Sequence, residues 1–299
     1  MARKMKIDFY HLRMPSGSGQ SFEEVLGRAW DLPDAERAVF LNGVPFRLQE
    51  LRRSRELYLG DMLRIRLEGI PPVAKLTGEE QDLDIPDDAG LGEETAFLFF
   101  PAANVLLLQR NRMSVSAASF EDYFSSLGAV GPDGIALDPV LRRDAMARLM
   151  RMAVYRKFTV TVAGLQNMRV PRAAGLAIKS MINISQQFRA PSLTVEVSMG
   201  HGQGTLTRIR ETISELGRIL VRGEEAGERV TRMMVRGKDD PDEPVEVVDL
   251  IEDRLVEVEE VDLGRNFAAA RRARQSALRA AFIRNRDDLL AQLEEPRTR

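Results

Sequence analysis

Arginine is the residue type through which this chain could act. Between Pro139 and Arg189 stand ten basic residues against one acid, Asp144, a local net charge of +9. Eight of them, Arg142, Arg143, Arg148, Arg151, Arg156, Lys157, Arg169 and Arg172, are candidate contacts to a phosphate backbone. Guanidinium groups bind phosphate bidentately, and each neutralised phosphate releases counterions. A second block, Arg265 to Arg286, holds seven arginines and no acid, while Asp239 to Asp262 holds twelve carboxylates against Arg254. The alternative is that these blocks pair with one another, within one chain or between copies in an oligomer.

A glycine-rich turn offers a second anion site. Val195-Glu196-Val197-Ser198 runs into Met199-Gly200-His201-Gly202-Gln203-Gly204, and a helix bearing Arg208 follows. Strand, glycine turn and helix N-terminus together can cradle phosphate on backbone amides, with Gly200, Gly202, Gly204 and Arg208 as its parts. The spacing fits neither the dinucleotide fingerprint nor the P-loop. The competing reading is a plain strand-to-helix connection with Thr205 or Thr207 as N-cap.

Catalytic chemistry is harder to place. The chain has no cysteine and only two histidines, His11 and His201. That removes disulfides, thiolate metal sites and thiol nucleophiles, and it disfavours a histidine-based zinc centre. Asp249, Glu252, Asp253, Glu257 and Glu259 could hold magnesium for nuclease or phosphotransfer chemistry, but no strand lysine accompanies them as common nuclease cores require. No metal, cofactor or catalytic residue is therefore assigned.

The elements that position these residues are mostly strands. Lys6–Met14 alternates as a strand. Ser21 and Glu24 fit a capping box opening a helix that stops before Pro33. Asn42-Gly43 between Ala38–Leu41 and Val44–Phe46 marks a type I′ hairpin, with Pro45 confining its strand to an edge or bulge. Leu57–Leu67 is a strand, and Thr95–Phe100 and Asn104–Arg110 are apolar enough for burial on both faces. Ser119 is placed to cap a short helix, and Asp138-Pro139 to open another running to about Ala153. Strands then fall at Phe158–Val162, Ser192–Ser198 and Val230–Val235. Val245–Ile251 and Leu255–Val261 pair through Glu252-Asp253-Arg254 as an acidic hairpin. Helices are expected at Leu206–Val221 and, at great length, at Phe267–Leu293.

The order predicts an α+β fold of mostly antiparallel sheets. At 299 residues two domains are expected. The glycine-rich loop Gly128–Gly134 divides a β-rich domain (1–130) from an α+β domain (131–299) with basic helices, acidic hairpin and long terminal helix. The most apolar stretch, Ala96–Leu108, is interrupted by Pro101 and Asn104 and falls short of the roughly 20 residues a membrane span needs. Without an apolar leader near Met1–Tyr10, a cytoplasmic protein that does not insert into membranes is expected.

Lys6-Ile7-Asp8-Phe9-Tyr10, Gly92-Glu93-Glu94-Thr95 before the Phe97–Leu108 hairpin, Gln109-Arg110-Asn111-Arg112 and Val247-Val248-Asp249-Leu250-Ile251 resemble an uncharacterised bacterial family of similar length, linked to accessory or phage-defence loci. The resemblance implies a component of antiviral defence that interacts with nucleic acid, and it carries over no catalytic signature. The expectation is a nucleic-acid-binding accessory protein that contacts the backbone without reading sequence, since aromatics for base stacking make up only 6% of residues. The alternatives are a self-assembling or partner-binding structural protein and a magnesium-dependent enzyme.

Overall fold

Period-2 alternation and short turns give this chain an α+β fold of antiparallel sheets. The computed structural model describes residues 2–15, 17–128, 134–163, 176–200, 204–207, 229–240, 244–264 and 266–294. The elements begin with β1 (Ala2–Arg13), α1 (Phe22–Asp31), β2 (Ala38–Leu41), β3 (Val44–Ser54), β4 (Leu57–Arg66) and the two-residue strands β5 (Val73–Ala74) and β6 (Glu80–Gln81). There follow β7 (Leu91–Phe100), β8 (Val105–Gln109), α2 (Ala117–Gly128), β9 (Ala136–Pro139), α3 (Arg143–Arg151), β10 (Val154–Ala163) and α4 (Leu176–Phe188). The last are β11 (Ser192–Ser198), β12 (Arg229–Lys238), β13 (Glu246–Asp249), β14 (Val256–Asp262) and α5 (Phe267–Glu294).

Two compact units share these elements, and neither is one continuous stretch. The first comprises Met1–Ile7, Met14–Ile135 and Val258–Ile283; the second comprises Asp8–Arg13, Ala136–Glu257 and Arg284–Arg299.

In the first unit the strand order is β14-β1-β8-β7-β4-β3-β2. The apolar runs of β7 and β8 lie in its middle, with Ala96–Phe100 and Val105–Gln109 all buried. Alternation divides β7 between two layers. Phe97 and Phe99 meet Phe120 of α2 and Phe22 of α1 at ring distances of 5.3 and 4.9 Å, while Phe100 meets Phe282 of α5 at 4.9 Å. The α1 capping box forms as the sequence indicates, Ser21 accepting from the Glu24 N–H and Glu24 from the Ser21 N–H. Asn42 and Gly43 take positive φ (51° and 84°) in the β2–β3 turn. The strand of Pro45 is not an edge; β2 is, and Pro45 sits just outside the β3–β4 register, which begins at Phe46↔Arg64. The missing N–H is thus tolerated at a strand end. Ser119 lies inside α2, where its N–H donates to Ser116 Oγ at 3.1 Å, so Ser116 serves that turn.

In the second unit β10 is central, pairing with β11 on one side and β12 on the other, and β12 pairs with β13, all antiparallel. One face of this sheet buries Phe158, Val160, Val162, Met233, Val235 and Val248 against Ala145 and Leu149 of α3 and Met181 and Ile182 of α4. Two expectations are corrected here. Ala136–Pro139 is a strand, not a helix start. It pairs with Tyr10–Arg13, and Asp138 binds the Arg13 guanidinium at 2.9–3.2 Å instead of capping a helix. Nor does the acidic segment form a hairpin, since β13 joins β12 while β14 joins β1. Asp249 Oδ1 accepts the Ile251 and Glu252 N–H groups, a turn that releases the chain from the sheet.

Candidate functional site

The arginines of α3 meet acids of their own chain. Arg142 precedes the helix, exposed, with its N–H donating to the Asp253 carbonyl. Arg143 pairs with Asp288 at 3.3 Å, Arg148 with Asp253 at 3.4 Å and Arg151 with Asp239 at 2.8 Å. Arg148 also donates to the Val247 carbonyl at 3.1 Å. The basic helix and the acidic segment are therefore partners within the second unit. Arg169 and Arg172 lie outside the described residues.

Arg156 and Lys157 sit on β10. Arg156 donates to the carbonyls of Gly204 (3.3 Å) and Gly200 (3.4 Å), while Tyr155 donates its N–H to Thr205 Oγ1 at 2.8 Å. The described part of the glycine turn thus presents carbonyl oxygens to a cation. Gly202 and Arg208 are outside the described residues, as is the helix expected after Leu206 beyond Thr207.

Opposite the buried face of the four-stranded sheet, register places Lys157 across from Arg236, Thr159 from Met234, and Thr161 from Arg232. Arg232 and Arg236 are exposed, and neither has a carboxylate partner among the described residues. Lys157 pairs with Glu196 at 2.7 Å, and the Thr161 and Thr194 hydroxyls are 3.0 Å apart. Arg232 and Arg236 belong to neither basic block of the sequence; the β10–β12 register supplies the juxtaposition.

The carboxylates proposed for magnesium do not converge. Among the described residues no group of three or more acids or histidines could hold a metal ion. Asp253 Oδ2 accepts from the Asp249 N–H and from Arg148, and Glu257 accepts from Arg284 and Asn285.

A polar site in the first unit lay beyond the sequence reading. Asp61 of β4 is fully buried, and α5 covers it. Gln275 Nε2 donates to its Oδ2 at 2.5 Å and Arg274 Nη2 approaches its Oδ1 at 3.5 Å. Arg271 and Arg274 both grip Glu94 of β7, and Arg271 donates to Glu50 of β3 at 3.1 Å. A bulge makes this possible. The β3–β4 register slips between Leu48 and Glu50, so Arg47 and Glu50, three apart, both face α5. Burial pushes the Asp61 carboxyl up to about 7; the Gln275 and Arg274 bonds oppose this and the Glu94 charge adds to it. Beside the network, around the α5 N-terminus, a cavity of about 570 Å³ opens, lined among others by Arg47, Gln109 and Phe267. The signals available were an aspartate flanked by Leu59-Gly60 and Met62-Leu63 in a strand and an arginine block without acids of its own.

Fold and site define an α+β protein of two units, one carrying a buried ion network beside a polar cavity, the other a four-stranded sheet with Lys157, Arg232 and Arg236 on the face opposite its core. The family of unknown function DUF6731 matches residues 2–281, and the chain belongs to it. No curated protein matches the chain. Among the described residues no helix is long and apolar enough to cross a membrane.

Proposed function

We propose that the protein binds nucleic acid through its phosphate backbone, using the face of the four-stranded sheet opposite its core. The observation that carries this is the register of β10 and β12, which sets Lys157 directly opposite Arg236, with Arg232 two repeats further along the same face. Like charges facing across strands destabilise a sheet by roughly 0.2–1 kcal/mol, and a bound polyanion reverses that sign. The Thr161 hydroxyl, across from Arg232, suits a phosphate oxygen, whereas Thr159 is buried. No aromatic side chain stands at these register positions, which fits binding without base stacking. Lys157 shares its charge with Glu196, so Arg232 and Arg236 are the cations of this face without a carboxylate partner among the described residues; Arg143, Arg148 and Arg151 have intrachain acids and α3 packs on the other face. The antiviral part of the reading rests on the family resemblance, and the cytoplasmic part on a sequence without cysteine. Assembly through paired charge blocks draws less support, because those blocks meet inside one chain.

The test is fluorescence anisotropy with labelled single- and double-stranded DNA and RNA over a salt series. The comparison is wild type against Lys157→Glu/Arg232→Glu/Arg236→Glu and Arg142→Glu/Arg143→Glu/Arg148→Glu/Arg151→Glu. Three phosphate contacts on duplex give a log–log salt slope of about −2.7. The sheet variant loses binding and the α3 variant retains most of it. Absence of binding at low salt, or equal binding by the sheet variant, overturns the proposal.

A further inference from the structure

We propose that the cavity at the N-terminus of α5 in the first unit binds a nucleoside monophosphate. Its volume, about 570 Å³, lies in the range of small-molecule sites. Among the described residues, its buried atoms without a hydrogen-bond partner are two donors, Arg271 Nε and Arg274 Nε, and one acceptor, Glu93 Oε2. Gln109 is 8% exposed and takes the Ala96 N–H on its Oε1 at 3.1 Å, and among the described residues its Nε2 has no hydrogen-bond partner. An idle amide donor on the cavity wall is open to a ligand's acceptor. Arg47 donates to Gln49 Oε1 at 3.1 and 2.7 Å and has no carboxylate partner among the described residues. The positive end of the α5 dipole opens into the same space.

The acids of the lining do not cancel these donors. Glu94 is held by Arg271 and Arg274, and Glu93 by Arg66 with Arg64 at 3.7 Å. The lining contains Arg47, Arg271 and Arg274 against Glu93 and Glu94, a net charge of +1. At the rim Phe267 is 71% exposed and Met113 53% exposed. An exposed aromatic ring above a donor-rich, cationic cavity suits a ligand with an anionic head and a flat body: phosphate on Arg47 and the helix end, base on Phe267, and a base or sugar acceptor on Gln109.

Isothermal titration calorimetry of the full chain tests this with AMP, GMP, CMP and UMP, with the unphosphorylated nucleosides and inorganic phosphate as comparison arms. Saturable binding of a nucleotide, stronger than of either half alone, is expected. Arg47→Ala weakens it about tenfold or more by removing a charge-assisted contact. Phe267→Ala, on the exposed rim where folding is not at stake, weakens it about tenfold while leaving any inorganic phosphate binding unchanged. The Lys157→Glu/Arg232→Glu/Arg236→Glu variant binds nucleotide as wild type does, which separates this site from the sheet face. No saturable heat with any nucleotide at millimolar concentration, nucleoside binding equal to nucleotide binding, or unchanged affinity in both Arg47→Ala and Phe267→Ala overturns the proposal.

Discussion

Asp61→Asn isolates the consequence of burying a carboxylate beneath a helix. In the folded chain burial raises the Asp61 carboxyl to about 7, whereas in the unfolded chain it titrates near its ordinary value of about 4. Between those values the folded state holds a proton that the unfolded chain has lost. The stabilisation is therefore fully present below pH 4 and is lost as pH rises through 7. Each pH unit in that window is worth about 1.4 kcal/mol, so wild type loses about 2.6 kcal/mol between pH 5 and pH 8 from this group. The charge pattern agrees. Arg271 and Arg274 face Asp61, Glu94 and Glu50, and one proton on Asp61 balances that set. The amide introduced by Asp61→Asn is neutral throughout, so the variant lacks this slope. The assay is urea unfolding followed by Trp30, the one tryptophan, in wild type and variant from pH 5 to pH 8. Any fixed cost of the amide, including its mismatch with Gln275 Nε2, cancels in the difference between slopes, as do the histidines. Parallel pH dependences in the two proteins would refute the reasoning.

Two further expectations follow from the same structure. Tyr123→Phe costs about 1–3 kcal/mol in urea unfolding, because the buried Tyr123 hydroxyl accepts the Leu48 N–H and donates to the Arg37 carbonyl, both at 2.8 Å. Arg274→Ala costs about 3–5 kcal/mol by removing one of the two guanidiniums that hold the buried Asp61 and Glu94, whereas Arg151→Ala, whose ion pair with Asp239 stands with Arg151 56% exposed, changes stability by less than about 1 kcal/mol. Equal losses in the two arginine variants would contradict that contrast.

Elements governed by local chemistry were legible in the sequence. The Ser21–Glu24 box, the Asn42-Gly43 turn and the long helix from Phe267 each depend on residues within a few positions of one another, and each forms. Features decided by a distant partner were not. Asp138-Pro139 has the residues of a helix start, yet β1 offers a strand to pair with and Arg13 a charge to bind, and tertiary pairing overrides propensity. The acidic hairpin failed for the same reason. Glu252-Asp253-Arg254 makes a turn, but β12 and β1 are the partners that β13 and β14 find.

Charge blocks carry a related ambiguity, and the structure shows how it resolves here. A run of arginines without neighbouring acids states that the balancing charge is elsewhere; it does not state whether that charge belongs to another molecule. For Arg271 and Arg274 the partner is the Asp61–Glu94–Glu50 set, contributed by three strands and aligned by a bulge that shifts side-chain parity by one. For Arg148 and Arg151 it is the acidic segment about 90–105 residues later in the chain. What distinguishes Arg232 and Arg236 is position rather than density. They alternate with the buried Met233 and Val235 on one strand, so core packing forces them onto the opposite face whatever stands there. Arg232 stands across from Thr161 and Arg236 across from Lys157, which pairs with Glu196; held in place by the burial of their neighbours, neither arginine has a carboxylate partner among the described residues. That constraint is why the proposed phosphate contacts are placed on the sheet face and not on the arginine-dense helix.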